Sequence, residues 1–182
     1  MKLTINEISE IACSIGIDYA SLMAFISVES GGIGFAEDTG KIIIQFEPAW
    51  FKKNAPYAPS GKWSLNKVER QSAEWTAFND AYAKDPKAAL LSTSIGLMQV
   101  MGFNYAKCGY TSVNAMWDDF KRGEYQQVHG AAMFIKNTPN LWKALKTKDW
   151  AKVAYYYNGS NYAVNSYDKK LKTAYDKYSK VK

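Results

Sequence analysis

The strongest constraint on what this chain can become is its punctuation, because signals that start or stop a helix recur along nearly its whole length. Thr4-Ile5-Asn6-Glu7 fits a capping box that opens a helix to about Ser14, and Gly16 breaks it. Asp18 can cap a second helix from Tyr19 to about Ser30, ended by Gly31-Gly32. Pro48 opens a short helix through Trp50 and Phe51, Asn66 a long one to about Lys84, and Pro86 another to about Leu91. Helical patterns then cover roughly 112–122, 124–137, 139–145, 149–157 and 165–179. Against this stand a turn at Asp38-Thr39-Gly40, a strand at Lys41–Phe46 and a Pro, Gly and Ser-rich loop at Asn54–Leu65. The expected class is mainly α with one small β element near the front. The 182 residues suit a single domain, 1–182, that needs no staples and leaves no room for a second module.

Charge and residue inventory exclude several chemistries. The net charge of +6 favours polyanionic surroundings, but the 17 acidic residues are interspersed among the bases, and no nucleic-acid signature or Gly-rich phosphate loop is present. The densest lysine run, Lys169–Lys182, reads as the solvated face of a terminal helix. Cys13 and Cys108 read as free buried thiols, too few for a disulfide framework. His129 is the only histidine, which argues against a Ser-His-Asp triad or a zinc centre, so neither metal nor cofactor is expected. Residues 1–11 carry Glu7 and Glu10 and lack an apolar core, so no signal peptide is expected. No stretch has the length of a membrane span. A monomer made in a cytoplasm, without stable membrane insertion, is the expectation.

One carboxylate stands out. In the helix from Asp18, residues Leu22, Phe25, Ile26 and Glu29 share a face at spacings of three and four, and that face is apolar. Glu29 then sits at the inward edge of a helix C-terminus, where burial and the negative end of the helix dipole both raise its pKa. A carboxyl kept protonated near neutral pH suits general-acid cleavage of a glycoside. Such cleavage commonly uses a second carboxylate across a cleft, and Glu37, Asp38 and Glu47 follow closely. Asp38 lies in the predicted turn, and Glu47 ends the apolar strand. The segment Ser94–Val100 is dense in small, apolar and amide groups and, by itself, reads as a buried turn of helix. Within it Gly96 permits close backbone approach, and Gln99 could orient a carboxylate or bind an acetamido group. Residues 154–159 read as a helix C-terminus rich in tyrosine, with Asn158-Gly159 as its stop.

Taken together and in order, Glu29-Ser30, Gly96-Leu97-Met98-Gln99 and Tyr157-Asn158-Gly159 resemble the motifs of the goose-type lysozyme and lytic transglycosylase superfamily. A closer resemblance is to the phage and bacterial N-acetylmuramidases found as endolysin catalytic domains. It is carried by FISVESGG (Phe25 to Gly32), by FEP and the aromatic helix after it (Phe46 to Phe51), by GLMQVMGFNYAKCGY (Gly96 to Tyr110) and by YNGSNYAVNSYDKKLKTAY (Tyr157 to Tyr175). The likeness spans about residues 19–178. Departures are Ile95, where many relatives have Trp, and Glu37–Gly40, where many have a short Asp-Gly turn.

The resemblance implies a lysozyme-like α+β fold, with two mostly helical lobes and a small β-hairpin beside the active-site cleft. It implies Glu29 as general acid, Glu47 or Asp38 as second carboxylate, and Ser30, Met98, Gln99, Tyr157 and Asn158 around the sugar. The implied reaction is hydrolysis of the β-1,4 bond between N-acetylmuramic acid and N-acetylglucosamine in peptidoglycan. The implied setting is a phage endolysin, synthesised in the host cytoplasm and reaching the wall through a holin-type pore. The Gly-Leu-Met-Gln motif also fits a lytic transglycosylase that uses one Glu and leaves 1,6-anhydro ends. A chitinase-like enzyme or a wall-binding protein with a dead lysozyme fold are further alternatives.

Overall fold

The computed structural model describes residues 3–29, 33–55 and 70–180. Local chemistry sets the first turns. Helix α1 (Ile5–Ser14) opens on the anticipated capping box: Thr4 N–H donates to the Glu7 carboxylate at 2.8 Å and Glu7 N–H to Thr4 Oγ1 at 3.3 Å. Gly16 takes the left-handed φ of 72° that turns the chain. Asp18 then caps α2 (Tyr19–Glu29), accepting from Ser21 N–H at 2.8 Å.

Helix α2 is buried on every side from Ala20 to Ile26. The single apolar face read from the sequence is therefore too narrow a description. The helix α10 (Tyr167–Tyr178) packs along one flank of α2 and α1 along another. A helix wrapped in this way must be apolar all round. Outside these, α7 (Glu124–Lys136) packs on α1, α8 (Pro139–Lys146) on α7, and α9 (Trp150–Asn158) on α8 and α10.

A second packing group surrounds a three-stranded antiparallel sheet. Strand β1 (Ile44–Phe46) pairs with β2 (Thr93–Ile95), and β2 with β3 (Val100–Met101). The strand expected at Lys41–Phe46 is shorter than its sequence pattern: Ile42 makes only an isolated bridge to Phe35 across the turn at residues 37–39. The expectation of a helical turn at Ser94–Val100 fails. Gly96 at φ 75° and Gln99 at φ 47° are left-handed, which a right-handed helix accommodates at neither position, so the segment folds as the β2–β3 hairpin.

Helix α4 (Gln71–Lys84) packs on β1 and on α5 (Pro86–Leu91), and α5 packs in turn on α3 (Pro48–Asn54). Helix α4 also closes the free edge of β1. The Gln71 amide exchanges two hydrogen bonds with the Ile44 backbone, at 3.0 and 2.8 Å, and Glu74 accepts from Phe46 N–H at 2.8 Å. Side chains thus stand in for a missing strand. Helix α6 (Val113–Phe120) touches both groups, packing on α5 and on α7. The expected two-lobed architecture, mostly helical with a small sheet, is what forms.

Two smaller expectations need amending. Cys108 is buried, but Cys13 is exposed, because on α1 it lies off the stripe formed by Ile8, Ile11 and Ala12. Helix α4 starts at Gln71 with Arg70 as its N-cap; the expected cap Asn66, and most of the expected loop Asn54–Leu65, lie outside the described residues. His129 is exposed and stacks on Tyr125, with ring centroids 6.2 Å apart.

Candidate active site

Glu29 is the last residue of α2, so its carboxyl lies at the negative end of a helix whose preceding turns are fully buried. Desolvation pushes its pKa up to about 7, and a hydrogen bond from the Tyr167 hydroxyl to Oε1 partly opposes that rise. Tyr167 is the first residue of α10, which packs along α2, and this brings its phenol onto Glu29. The Asn158 side chain hydrogen-bonds the Tyr167 oxygen in turn, lowering its pKa, whereas burial and the Glu29 charge raise it. With Asn158 engaging its oxygen, the phenol proton is directed at Glu29.

Tyr157 has a different task. Its hydroxyl donates to the Met98 backbone carbonyl at 2.8 Å, and its ring is wedged edge-on between Phe25 and Phe134, with centroids 5.0 and 6.0 Å away. The bond ties the end of α9 to the β2–β3 turn. Met98 itself is buried and takes part through its backbone; it does not line the cleft.

The opposite wall carries Glu47. It is the N-cap of α3, yet its side chain makes no capping hydrogen bond. Its N–H is taken by Ser92 O at 2.9 Å, and Gln45 Nε2 donates to Oε1 at 3.0 Å. Burial raises the pKa of Glu47, the neighbouring Glu74 charge adds to that, and the Gln45 hydrogen bond offsets part of it. Glu29 and Glu47 line one cavity of about 430 Å³, with Gln45, Trp50, Gln99, Asn104 and Asn158 among its walls.

Gln99 is pinned inside the hairpin: Nε2 donates to Gly96 O at 2.7 Å, and Oε1 accepts from Ser94 Oγ at 3.0 Å. It therefore shapes the cleft floor with both amide ends already engaged. Beneath the hairpin, the buried Gln127 accepts from Leu97 N–H at 2.7 Å and donates to Phe120 O at 3.0 Å. A Cβ at Gly96 would lie 2.9 Å from that amide, so only glycine fits there.

Of the residues singled out from the sequence, Glu29, Glu47, Gln99, Tyr157 and Asn158 meet at this cavity. Asp38 does not: it is exposed in the turn at residues 37–39 and absent from the cavity lining. Glu37 lines a separate surface concavity. Ser30 lies outside the described residues. Sequence reasoning gave no role to Tyr167, Gln45, Trp50 or Asn104. Tyr167 was hidden because its partner is 138 positions away, and only the packing of α10 on α2 joins them. Trp50 shows no local signal beyond being an aromatic on a short helix, yet it is 39% exposed and faces Phe103 at 4.6 Å, forming an aromatic shelf at the cleft mouth.

Known proteins share this fold. No curated protein sequence matches the chain. Among solved structures, it is similar to a Burkholderia AP3 phage endolysin at 33% identity and a TM-score of 0.85, over 97% of this chain and 70% of that one. A family profile for N-acetylmuramidase matches residues 18–179. With that match extending over most of its length, the chain belongs to the N-acetylmuramidase family.

Proposed function

We propose that the protein hydrolyses the β-1,4 bond between N-acetylmuramic acid and N-acetylglucosamine in peptidoglycan, as a phage endolysin acting on the cell wall. The observation that carries this is a glutamic acid held near pKa 7 in a cleft that also holds a second, less perturbed carboxylate. Two acids with different environments divide the labour of acid and base.

In this reading Glu29 is protonated in the resting enzyme and gives its proton to the glycosidic oxygen as the bond breaks. Tyr167 occupies Oε1, which leaves Oε2 to carry the proton. Glu47, in its carboxylate form, is the base that takes a proton from a water attacking the far face of the sugar. The Gln45 amide favours its charged form. Water attack from that face inverts the anomeric centre. The cleft supplies Asn104 and Asn158 amides for sugar hydroxyl and acetamido groups and Trp50 for an apolar ring face.

Mass spectrometry of the fragments released from purified peptidoglycan tests the reaction. Reducing N-acetylmuramic acid ends support hydrolysis. Anhydro ends, lighter by one water, would instead make the protein a lytic transglycosylase in which Glu29 acts alone. Reducing N-acetylglucosamine ends would refute the assigned bond.

A further inference from the structure

Between α4 and α6 lies a second concavity, about 260 Å³, that shares no lining residue with the cleft. Its floor is aromatic. Phe78 lies flat on Trp117, with centroids 5.0 Å apart and planes 17° apart. Tyr82 follows one helical turn on, 5.6 Å from Phe78, and is 41% exposed. Trp75 meets Phe78 edge-on at 5.4 Å, and Lys41 Nζ sits 5.3 Å over its ring, so this wall is braced from behind.

The rim has a different chemistry. Asn79 and Asn114 present exposed amides, each able to donate and accept. Asp118 and Lys121 pair at 3.4 Å, leaving the rim without net charge. The Trp75 indole N–H is buried and has no hydrogen-bond acceptor among the described residues, an unusual state for a donor.

We propose that this groove is a second glycan-binding site, taking a neutral N-acetylhexosamine unit of a wall strand. A pyranose offers an apolar C–H face for Tyr82 and hydroxyl and acetamido edges for Asn79 and Asn114. The balanced Asp118–Lys121 pair disfavours a polyanion, and the volume is below the roughly 300–1,000 Å³ of pockets that enclose larger ligands. Helix α4 joins the two sites rigidly: Glu74 holds β1, the strand leading to Glu47, and Trp75, the next residue, lines the groove. A strand held there keeps the cleft near its polymer by raising the local concentration of cleavable bonds.

The inference rests on the wall-glycan reading above, and its test separates the two. Titration with tri-N-acetylchitotriose, followed through the tryptophan indole N–H resonances, is expected to move Trp75, with the movement lost in Tyr82→Ala and in Asn114→Ala. Both variants are expected to keep full turnover on short soluble glycan fragments and to lose at least about fivefold on intact sacculi. A Trp75 resonance that stays put, or equal loss on both substrates, overturns the proposal. So does a dimer in light scattering that Tyr82→Ala abolishes, because a second copy would then be the occupant. Asn114→Ala, an exposed change, keeps the test decisive if Tyr82→Ala folds poorly. If sacculi are not cleaved at all, the proposed reaction fails, while the indole titration still decides the groove.

Discussion

The two walls of the cleft hold their carboxylates by opposite means. Glu29 ends a helix buried on every side and is fixed by packing, with one phenol hydrogen bond added. Glu47 follows a three-residue strand whose free edge is closed by the Gln71 and Glu74 side chains, so hydrogen bonds do most of the positioning there. Packing lifts Glu29 to about 7, whereas the hydrogen-bonded wall leaves Glu47 with a smaller rise. Burial raises both carboxyls; at Glu47 the Gln45 amide works against that rise, and at Glu29 the Tyr167 hydroxyl does. In the proposed reaction, the difference between the two walls is what would let two glutamates in one cavity act in opposite senses.

The sharpest way to break that contrast is Glu29→Gln, expected to remove at least about 1,000-fold of activity on peptidoglycan, measured by turbidity and fragment release. The same change tests the packing claim through stability. A pKa raised from the ordinary 4.5 to about 7 means the folded state holds a proton that the unfolded chain has released. That stabilising contribution is full below about pH 4.5 and is lost as pH rises through 7. Glu29→Gln should therefore melt like the parent at pH 4 and be more stable at pH 8, by at most about 3 kcal/mol. Equal stability at both values would show that Glu29 is not held in a dry wall.

Glu47→Gln is expected to cost about 100-fold in kcat, less than the loss of the acid because only water activation fails. Full activity would leave one carboxylate in charge and remove the contrast altogether. Tyr167→Phe comes next, with an expected loss of about tenfold. The hydroxyl favours the charged form of Glu29, so removing it should move the basic limb of the kcat/KM profile to higher pH. A limb that moves down instead would mean that the hydrogen bond favours the acid form. The smallest effect is expected from Glu74→Gln. Its charge helps to raise Glu47, so the acidic limb should move to lower pH by a fraction of a unit while the bond to Phe46 N–H survives through the amide oxygen.

The same contrast governs what could be read in the sequence. The helical wall announced itself: Thr4 and Asp18 act as the N-caps their sequence positions suggest, the helices expected from about 112 and 149 open on Ser112 and Asp149, and the spacing of Leu22, Phe25, Ile26 and Glu29 placed the acid on a buried helix. Such signals are local, and the pattern survives whatever packs against it. The sheet wall was mostly hidden. β2 and β3 are too short to show period-two alternation, and their partner β1 is 49 residues upstream at the Gln45–Ser94 pair. The choice between Asp38 and Glu47 depended on which of them faced the cleft, and only the β1–β2 register brings Glu47 round while the short hairpin carries Asp38 away. Tyr167 and Gln71 were invisible for the same reason, because each acts on a residue far along the chain.

The amide of Gln127 has a consequence for how this family can change over time. A Cβ at Gly34 would sit 2.6 Å from its oxygen, and one at Gly96 would be 2.9 Å away. The two glycines are nonetheless under different kinds of inheritance. If position 127 shrank, the tightest contact at Gly34 would go, leaving only the flexible Glu124 side chain at 3.0 Å to give way. Gly96 would stay, because its φ of 75° disfavours any other residue. Across descendants, Gly34 should therefore vary together with position 127, while Gly96 persists wherever the hairpin does.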